Sequence, residues 1–245
     1  MVRLSRKQQE IREREGLILE LARGLLLERG YLGLTMDRIA RAAEVSKGTI
    51  YQHFANKEEV VTALAIRTMR AQAALFERAA MFRGRPRERM VAIGYAHELF
   101  VRLRPDDFRC SLIIKTASIR DKVSPDRCSE LAGCEQRCMG TVSGIVRDAI
   151  AAGELPLGHD VHPEAICFGL WSMTFGAFAL VSFGIPLQQY GIEEPYSSVM
   201  RNCHALMDGF AWRPLLSEHD YEATLARIAE EVFSDEHRRL EEARA

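Results

Sequence analysis

The sequence predicts an all-α protein, with a small N-terminal helix-turn-helix unit and a larger helical domain behind it. Three observations carry this. Apolar residues recur at i, i+3, i+4 spacing along most of the chain, and no segment alternates with the period of two that a strand needs. Glycine and proline punctuate the periodic stretches, as at Gly30, Arg83-Gly84-Arg85-Pro86, Pro105, Gly153 and Pro214. Residues 34 to 57, LTMDRIARAAEVSKGTIYQHFANK, hold two short helical patterns joined by a compact turn.

The elements follow in order. A first helix is expected over about 5 to 29, with Leu17, Ile18, Leu21, Ala22 and Leu25 inward and Gly30 as its stop. Thr35 can cap a short helix over about 36 to 43, with Ile39, Ala40 and Ala43 on one face. Glu44-Val45-Ser46 makes the turn. Ser46 then caps a second short helix over about 47 to 53, with Ile50 and Phe54 inward. Asn56-Lys57-Glu58-Glu59 resembles a capping box that opens a connecting helix over about 57 to 82. Helices over about 86 to 103 and 107 to 119 are separated by Pro105, and 121 to 126 is a loop. A helix over about 127 to 152 ends at Gly153, and 155 to 163 is an irregular connection. An apolar helix over about 163 to 184, a loop over 186 to 195, and helices over about 196 to 211 and 218 to 240 complete the chain.

The second short helix has the residue types of a reading helix for DNA. Ser46, Lys47, Gly48 and Thr49 are small or bear donors, and glycine permits close backbone approach to a duplex. The unpaired N–H groups at its start favour phosphate. Tyr51, Gln52 and His53 offer hydrogen-bonding tips for phosphates or base edges.

The residues Gly30-Tyr31, Leu34-Thr35, Ile39-Ala40, Ala42 to Ser46, Lys47 to Tyr51, His53-Phe54 and Lys57-Glu58 carry a specific match. Through them, residues 10 to 65 resemble the DNA-binding domain of the TetR (tetracycline repressor) family. The rest of the chain resembles that family in length, helicity and arrangement. The resemblance implies a helix-turn-helix DNA-binding domain over 1–56 and a helical effector-binding and dimerisation domain over 57–245. It implies double-stranded operator DNA as partner, a homodimer formed through helices 163–184 and 196–211, and release by a small-molecule effector. It assigns DNA contact to Thr35, Lys47, Gly48, Thr49, Tyr51, Gln52, His53 and Lys57. Lys47 and Gln52 are the candidate base readers, Thr35 and Thr49 donate to phosphates or, for Thr49, touch a thymine methyl, and Tyr51, His53 and Lys57 clamp the backbone. Tyr51 suits packing within the motif equally well, and His53 suits capping or packing.

Composition bounds the reading. The 245 residues are 47% hydrophobic and 27% charged, as in a soluble globular protein. The formal net charge is -1, but residues 1 to 57 hold 11 Lys or Arg against 7 Asp or Glu, so the rest is acidic. Arg3, Arg6, Lys7, Arg12 and Arg14 form a basic run beside the motif, placed for a solvated face or for DNA backbone contact. Residues 1 to 16 lack the apolar core of a signal peptide, so a cytoplasmic location with reduced cysteines is expected. Ala165 to Leu187 contains no charge and is long enough to span a bilayer. It lacks basic flanks and carries Gly169, Gly176 and Gly184 along one stripe, which reads as a buried dimer helix with no membrane partner.

Two further sites are expected from the larger domain. Tyr95, His97, Phe100, Phe108, Ile114, Met139, Trp171 and Phe175 are aromatic or apolar residues of the middle helices that suit an apolar effector or plain core. Cys110, Cys128, Cys134 and Cys138 form the other group. Two readings stand: a metal- or redox-sensing set for zinc or an iron–sulfur cluster, or small buried hydrophobes. The spacing C-x5-C-x3-C matches no common metal pattern, while Arg127 and Arg137 nearby favour a lowered thiol pKa. An all-helical enzyme is the remaining class, and the chain has no G-x-S-x-G, H-E-x-x-H or phosphate loop.

Overall fold

The computed structural model describes residues 5–116, 119–158 and 161–242. Among these residues every regular element is helical. In chain order they are α1 (Arg6–Gly33), α2 (Met36–Ala42), α3 (Lys47–His53), α4 (Lys57–Ala80), α5 (Pro86–Leu103), α6 (Pro105–Thr116), α7 (Pro125–Ala151), α8 (Pro163–Ser182), α9 (Pro195–Gly209), α10 (Tyr221–Glu231) and α11 (Ser234–Glu242). Single 3-10 turns lie at Arg120–Lys122 and Leu187–Tyr190. Arg3 of the basic run, and part of the 155 to 163 connection, lie outside the described residues.

Proline sets the register of the helix starts. Helices α5, α6, α7, α8 and α9 all begin on a proline. The first turn needs no N–H from that residue, and the ring holds φ near its helical value. Pro105 thus opens α6 rather than separating two helices, which moves that helix two residues earlier than expected.

The chain packs into two compact units, neither of them one stretch of sequence. One comprises residues 1–69 with 106–134, the other 70–105 with 135–245. The break after residue 69 falls inside α4, beyond the expected boundary at residue 56.

The first unit has one apolar core. Ile18, Ala22 and Leu26 of α1 meet Ile39 and Ala40 of α2, Ile50 and Phe54 around α3, and Val60, Val61 and Leu64 of α4. Cys110 and Ile114 of α6 and Ile119 join the same cluster. Leu17 does not: it is 55% exposed, because Leu26 and not Leu17 continues the buried stripe. Gly30 ends the regular part of α1 with φ 66° and ψ 178°, a region that only glycine occupies without strain. One more turn follows, and Leu34 N–H closes it onto the Gly30 carbonyl at 3.2 Å.

In the second unit α5 is buried on nearly every face, against α8, α10 and α11, while α8 and α9 pair with each other. Arg87 of α5 is fully buried. It pairs with Asp208 at 2.7 Å, donates to the carbonyls of Trp212 and His204, and lies 5.1 Å from the Tyr221 ring centroid. The expected single helix over 218 to 240 is instead two. Asp220 caps α10 through the Ala223 N–H at 2.9 Å, and the helix stops at Val232, where Phe233 turns fully inward beside Tyr95. The glycine stripe also divides. Gly169 packs on Leu206 of α9, Gly176 has open space, and Gly184 lies past the end of α8 with φ 70°.

Two consequences are measurable. A Cβ at Gly30 would meet nothing within 4 Å, so Gly30→Ala isolates the backbone cost. It should lower the urea-unfolding free energy by about 1–3 kcal/mol. Burial also pushes His97 down to about 4, and burial together with the Arg87 charge does the same to His204. Both stay neutral when folded, whereas the unfolded chain protonates them near 6.5. Their contribution is therefore full above about pH 6.5 and is lost as pH falls towards 4. Between pH 7 and 5 each should cost roughly 2 kcal/mol, and His97→Leu should remove its share of that slope in urea titrations at the two pH values.

Candidate nucleic-acid interface

The site begins with the turn between α2 and α3. Glu44 N–H reaches the Arg41 carbonyl at 3.2 Å and Val45 N–H the Ala40 carbonyl at 3.1 Å. These bonds close α2 while Glu44, at φ 54°, swings the chain away. Ser46 then caps α3, its Oγ accepting the Thr49 N–H at 3.0 Å and lying 2.8 Å from Thr49 Oγ1. At the other motif helix, Thr35 Oγ1 accepts the Arg38 N–H at 3.3 Å.

Burial of Ile50 and Phe54 decides which way α3 faces. With those two side chains inside, Lys47, Gly48, Tyr51 and Gln52 are exposed, as is Thr35, and Thr49 is half-buried. Of the residues expected to touch DNA, these are left exposed or half-buried by the fold. Tyr51 is 48% exposed.

Three of them have partners of their own. Lys47 Nζ lies 2.5 Å from Asp37 Oδ1 across the motif, and the hydrogen bond and charge of Asp37 raise its pKa. The His53 side chain is only 8% exposed and sits 3.6 Å from Glu15 of α1, a packing position rather than a backbone clamp. Lys57 Nζ donates to the Tyr31 carbonyl at 3.0 Å and lies 4.1 Å from that ring's centroid. It thereby ties α4 to the end of α1. One donor of its ammonium is committed and two are not.

The expected capping box at α4 is half made. Asn56 Oδ1 accepts the Glu59 N–H at 2.8 Å, but the Glu59 carboxylate turns to the Ser124 N–H at 2.6 Å and Arg127 Nε at 2.5 Å. Burial pushes the Glu59 carboxyl up, and these hydrogen bonds outweigh it and hold it below the usual range. Glu58 accepts from the Tyr31 hydroxyl at 2.8 Å, and burial with that bond pushes Tyr31 up to about 12.

Helix α2 carries two further exposed cations. Arg41 is exposed in its last turn, and its charge acts on Lys47. Arg38, three residues earlier, is exposed and donates to the Gly33 carbonyl. The i, i+3 spacing of two arginines opposite buried Ile39 and Ala40 was the available signal.

The residues expected at an effector site divide between the two units. Phe108 and Ile114 belong to the first unit and Tyr95, His97, Phe100, Met139, Trp171 and Phe175 to the second. His97 is core, with Phe76 and Phe178 edge-on at 6.0 and 4.9 Å. Tyr95 meets His237 Nδ1 at 2.7 Å, and Phe100 is 1% exposed. Met139 and Trp171 are exposed. The cysteine set lacks the geometry for zinc or an iron–sulfur cluster: among the described residues no three of Cys, His, Asp and Glu are placed to hold a metal. Burial pushes the Cys110 thiol up to about 12, away from the thiolate a metal or oxidant needs. Cys134 and Cys138 are buried too, and Cys128 is half-buried with Sγ 3.9 Å from the Val123 carbonyl. Cys134 and Cys138, four residues apart on α7, share a face of that helix.

A capped, exposed, donor-bearing helix held across a tight turn in a small helical core defines a helix-turn-helix DNA-binding regulator. Residues 18–64 match the family model of bacterial regulatory proteins, tetR family. The HTH-type transcriptional regulator Rv1816 of Mycobacterium tuberculosis is 25% identical over 217 residues, covering 76% of this chain and 87% of that protein. The HTH-type transcriptional repressor KstR2 of the same organism is 42% identical over 55 residues, 22% of this chain and 28% of its own. Residues 18–64 thus carry a TetR-type DNA-binding domain, and the chain is similar over most of its length to HTH-type transcriptional regulators. The crystal structure of the regulator FadR from Bacillus subtilis, in complex with stearoyl-CoA, shares the fold at a TM-score of 0.59 with 17% identity, covering 79% of this chain and 98% of that one.

The Lys47–Asp37 pair gives a direct test. Asp37→Asn should free the lysine for any phosphate. Binding to random-sequence duplex should tighten and its log–log salt slope should steepen by about one unit per head. An unchanged slope in fluorescence anisotropy would show that the pair has no hold on Lys47.

Proposed function

We propose that the protein is a cytoplasmic, homodimeric repressor that reads a pseudo-palindromic operator with α3 and is released by a small, largely apolar effector. The observation that carries this is the outward side of α3. Lys47 and Gln52 stand exposed for base edges, with Thr35, Thr49 and Tyr51 beside them for phosphates, all fixed by the buried Ile50 and Phe54. Its donors suit recognition, and the protein is read as a regulator.

The dimer reading rests on α8. This helix has a mean hydropathy of 1.7 over its apolar window, of which 33% is buried. Phe168, Trp171 and Leu180 are exposed on it, and Phe183 just beyond. A second copy covering that face through α8 and α9 satisfies it without a membrane and sets the spacing of two reading heads. Trp171 and Phe175 then serve the dimer rather than an effector. The effector reading draws on relatives: the FadR structure holds stearoyl-CoA, and KstR2 is described as a ketosteroid transcriptional regulator. A ligand acts as inducer by favouring the head spacing that does not fit the operator.

Selection of duplexes from a random pool by the full chain should enrich an inverted repeat, and sedimentation should give a dimer. Gln52→Ala should relax one base position per half-site at a cost of about 1–3 kcal/mol. A pool that enriches no sequence sinks the operator reading, and a monomer at micromolar concentration sinks the dimer.

A further inference from the structure

The first turns of α1 extend past the packed head. Ser5 caps this stretch with a reciprocal pair, Ser5 Oγ to the Gln8 N–H and Gln8 Oε1 to the Ser5 N–H, at 3.3 and 2.9 Å. Arg6 and Glu10 add an i, i+4 ion pair at 3.2 Å. Yet every residue from Ser5 to Arg14 is exposed. The segment has the local supports of a helix and no packing partner. It carries Arg6, Lys7, Arg12 and Arg14 against Glu10 and Glu13. Lys7, Arg12 and Arg14 make no ion pair among the described residues.

Register says which way this charge points. Lys7, Ile11, Arg14 and Ile18 follow one another at i, i+4, i+7 and i+11, one stripe of the helix. Ile18 on that stripe is 1% exposed and belongs to the core that also holds Ile50 of α3. Glu15, one residue after Arg14, faces His53 at the last residue of α3. The α1 side that packs on the motif therefore continues beyond the end of the reading helix, with Lys7 and Arg14 on either side of exposed Ile11. Arg12 lies well round from the stripe.

We propose that this projecting start of α1, residues 5–14 and nearly three turns long, is a second DNA-contacting surface, which docks Lys7 and Arg14 on phosphates flanking the half-site read by α3. Ten residues of helix reach about 15 Å, or roughly four base-pair steps along a duplex. The contact adds affinity and footprint length without base discrimination. It rests on the reading of α3 as the operator-reading helix.

The test uses the full chain and a duplex it selects from a random pool, prepared with long flanks and again trimmed to the selected core. Lys7→Gln/Arg14→Gln should lower the salt slope on the long duplex by about two units per head and weaken binding tenfold or more at physiological salt. On the trimmed duplex the variant should match the unaltered protein. Arg12→Gln, off the stripe, should leave the slope on the long duplex unchanged. Circular dichroism melts that coincide for all three proteins keep folding out of the comparison. Equal slopes for the double variant and the unaltered protein on the long duplex overturn the docking surface, and so does an Arg12→Gln loss as large as that of the double variant. Failure to select any duplex falls instead on the operator reading itself.

Discussion

A seven-residue helix cannot hold its own shape in water, because nucleation costs more than one or two turns return. Helix α3 exists because Ile50 and Phe54 are buried in a core built by other elements. Removing either would release the reading surface as well as a few methyl groups. Everything else in the first unit serves that anchoring. Helix α1 supplies Ile18, Ala22 and Leu26, α2 supplies Ile39 and Ala40, and α4 supplies Val60, Val61 and Leu64. The exposed polar side of α3 is the complement of that burial.

Both units bury charge, and each does so in company. Glu59 is held by a backbone N–H and a guanidinium, and Glu58 by the Tyr31 hydroxyl. Arg87 has a carboxylate, two carbonyls and an aromatic face around it. Ion pairs of this kind add little net stability over apolar residues, but breaking one partner is expensive. They therefore act as registers: α4 is fastened to the start of α7, and α5 to the end of α9, in one arrangement each.

The motif was legible in the sequence because its determinants are local. The caps Thr35, Ser46 and Asn56 and the inward pair Ile50 and Phe54 all act within a few residues of one another. What was not legible depends on distant partners. Glu59 was expected to reach back to its own helix start, and Ser124 and Arg127 compete for it from 65 and 68 residues away. The break at Val232 follows from Phe233 packing inward, which no period in residues 218 to 240 discloses. Cysteine spacing along α7 gives the face but not the distance to a fourth donor. Leu17 is apolar but lies one residue, about 100° of helix, round from the buried stripe of Ile18, Ala22 and Leu26, and a count of apolar residues does not show where that stripe ends.

The discontinuous make-up of the first unit bears on how this regulator can be recombined with others. A chimera cut at the start of α4 carries the reading helix but leaves behind Cys110, Ile114 and Ile119 from its core, and the Ser124 and Arg127 donors that neutralise Glu59. The transplantable reading module is two segments, residues 1–69 and 106–134, taken together. Such a head is poorly suited to exchange by a single crossover at the start of α4, since a cut before Glu58 separates it from Tyr31 and a cut after Glu59 separates that carboxylate from Ser124 and Arg127.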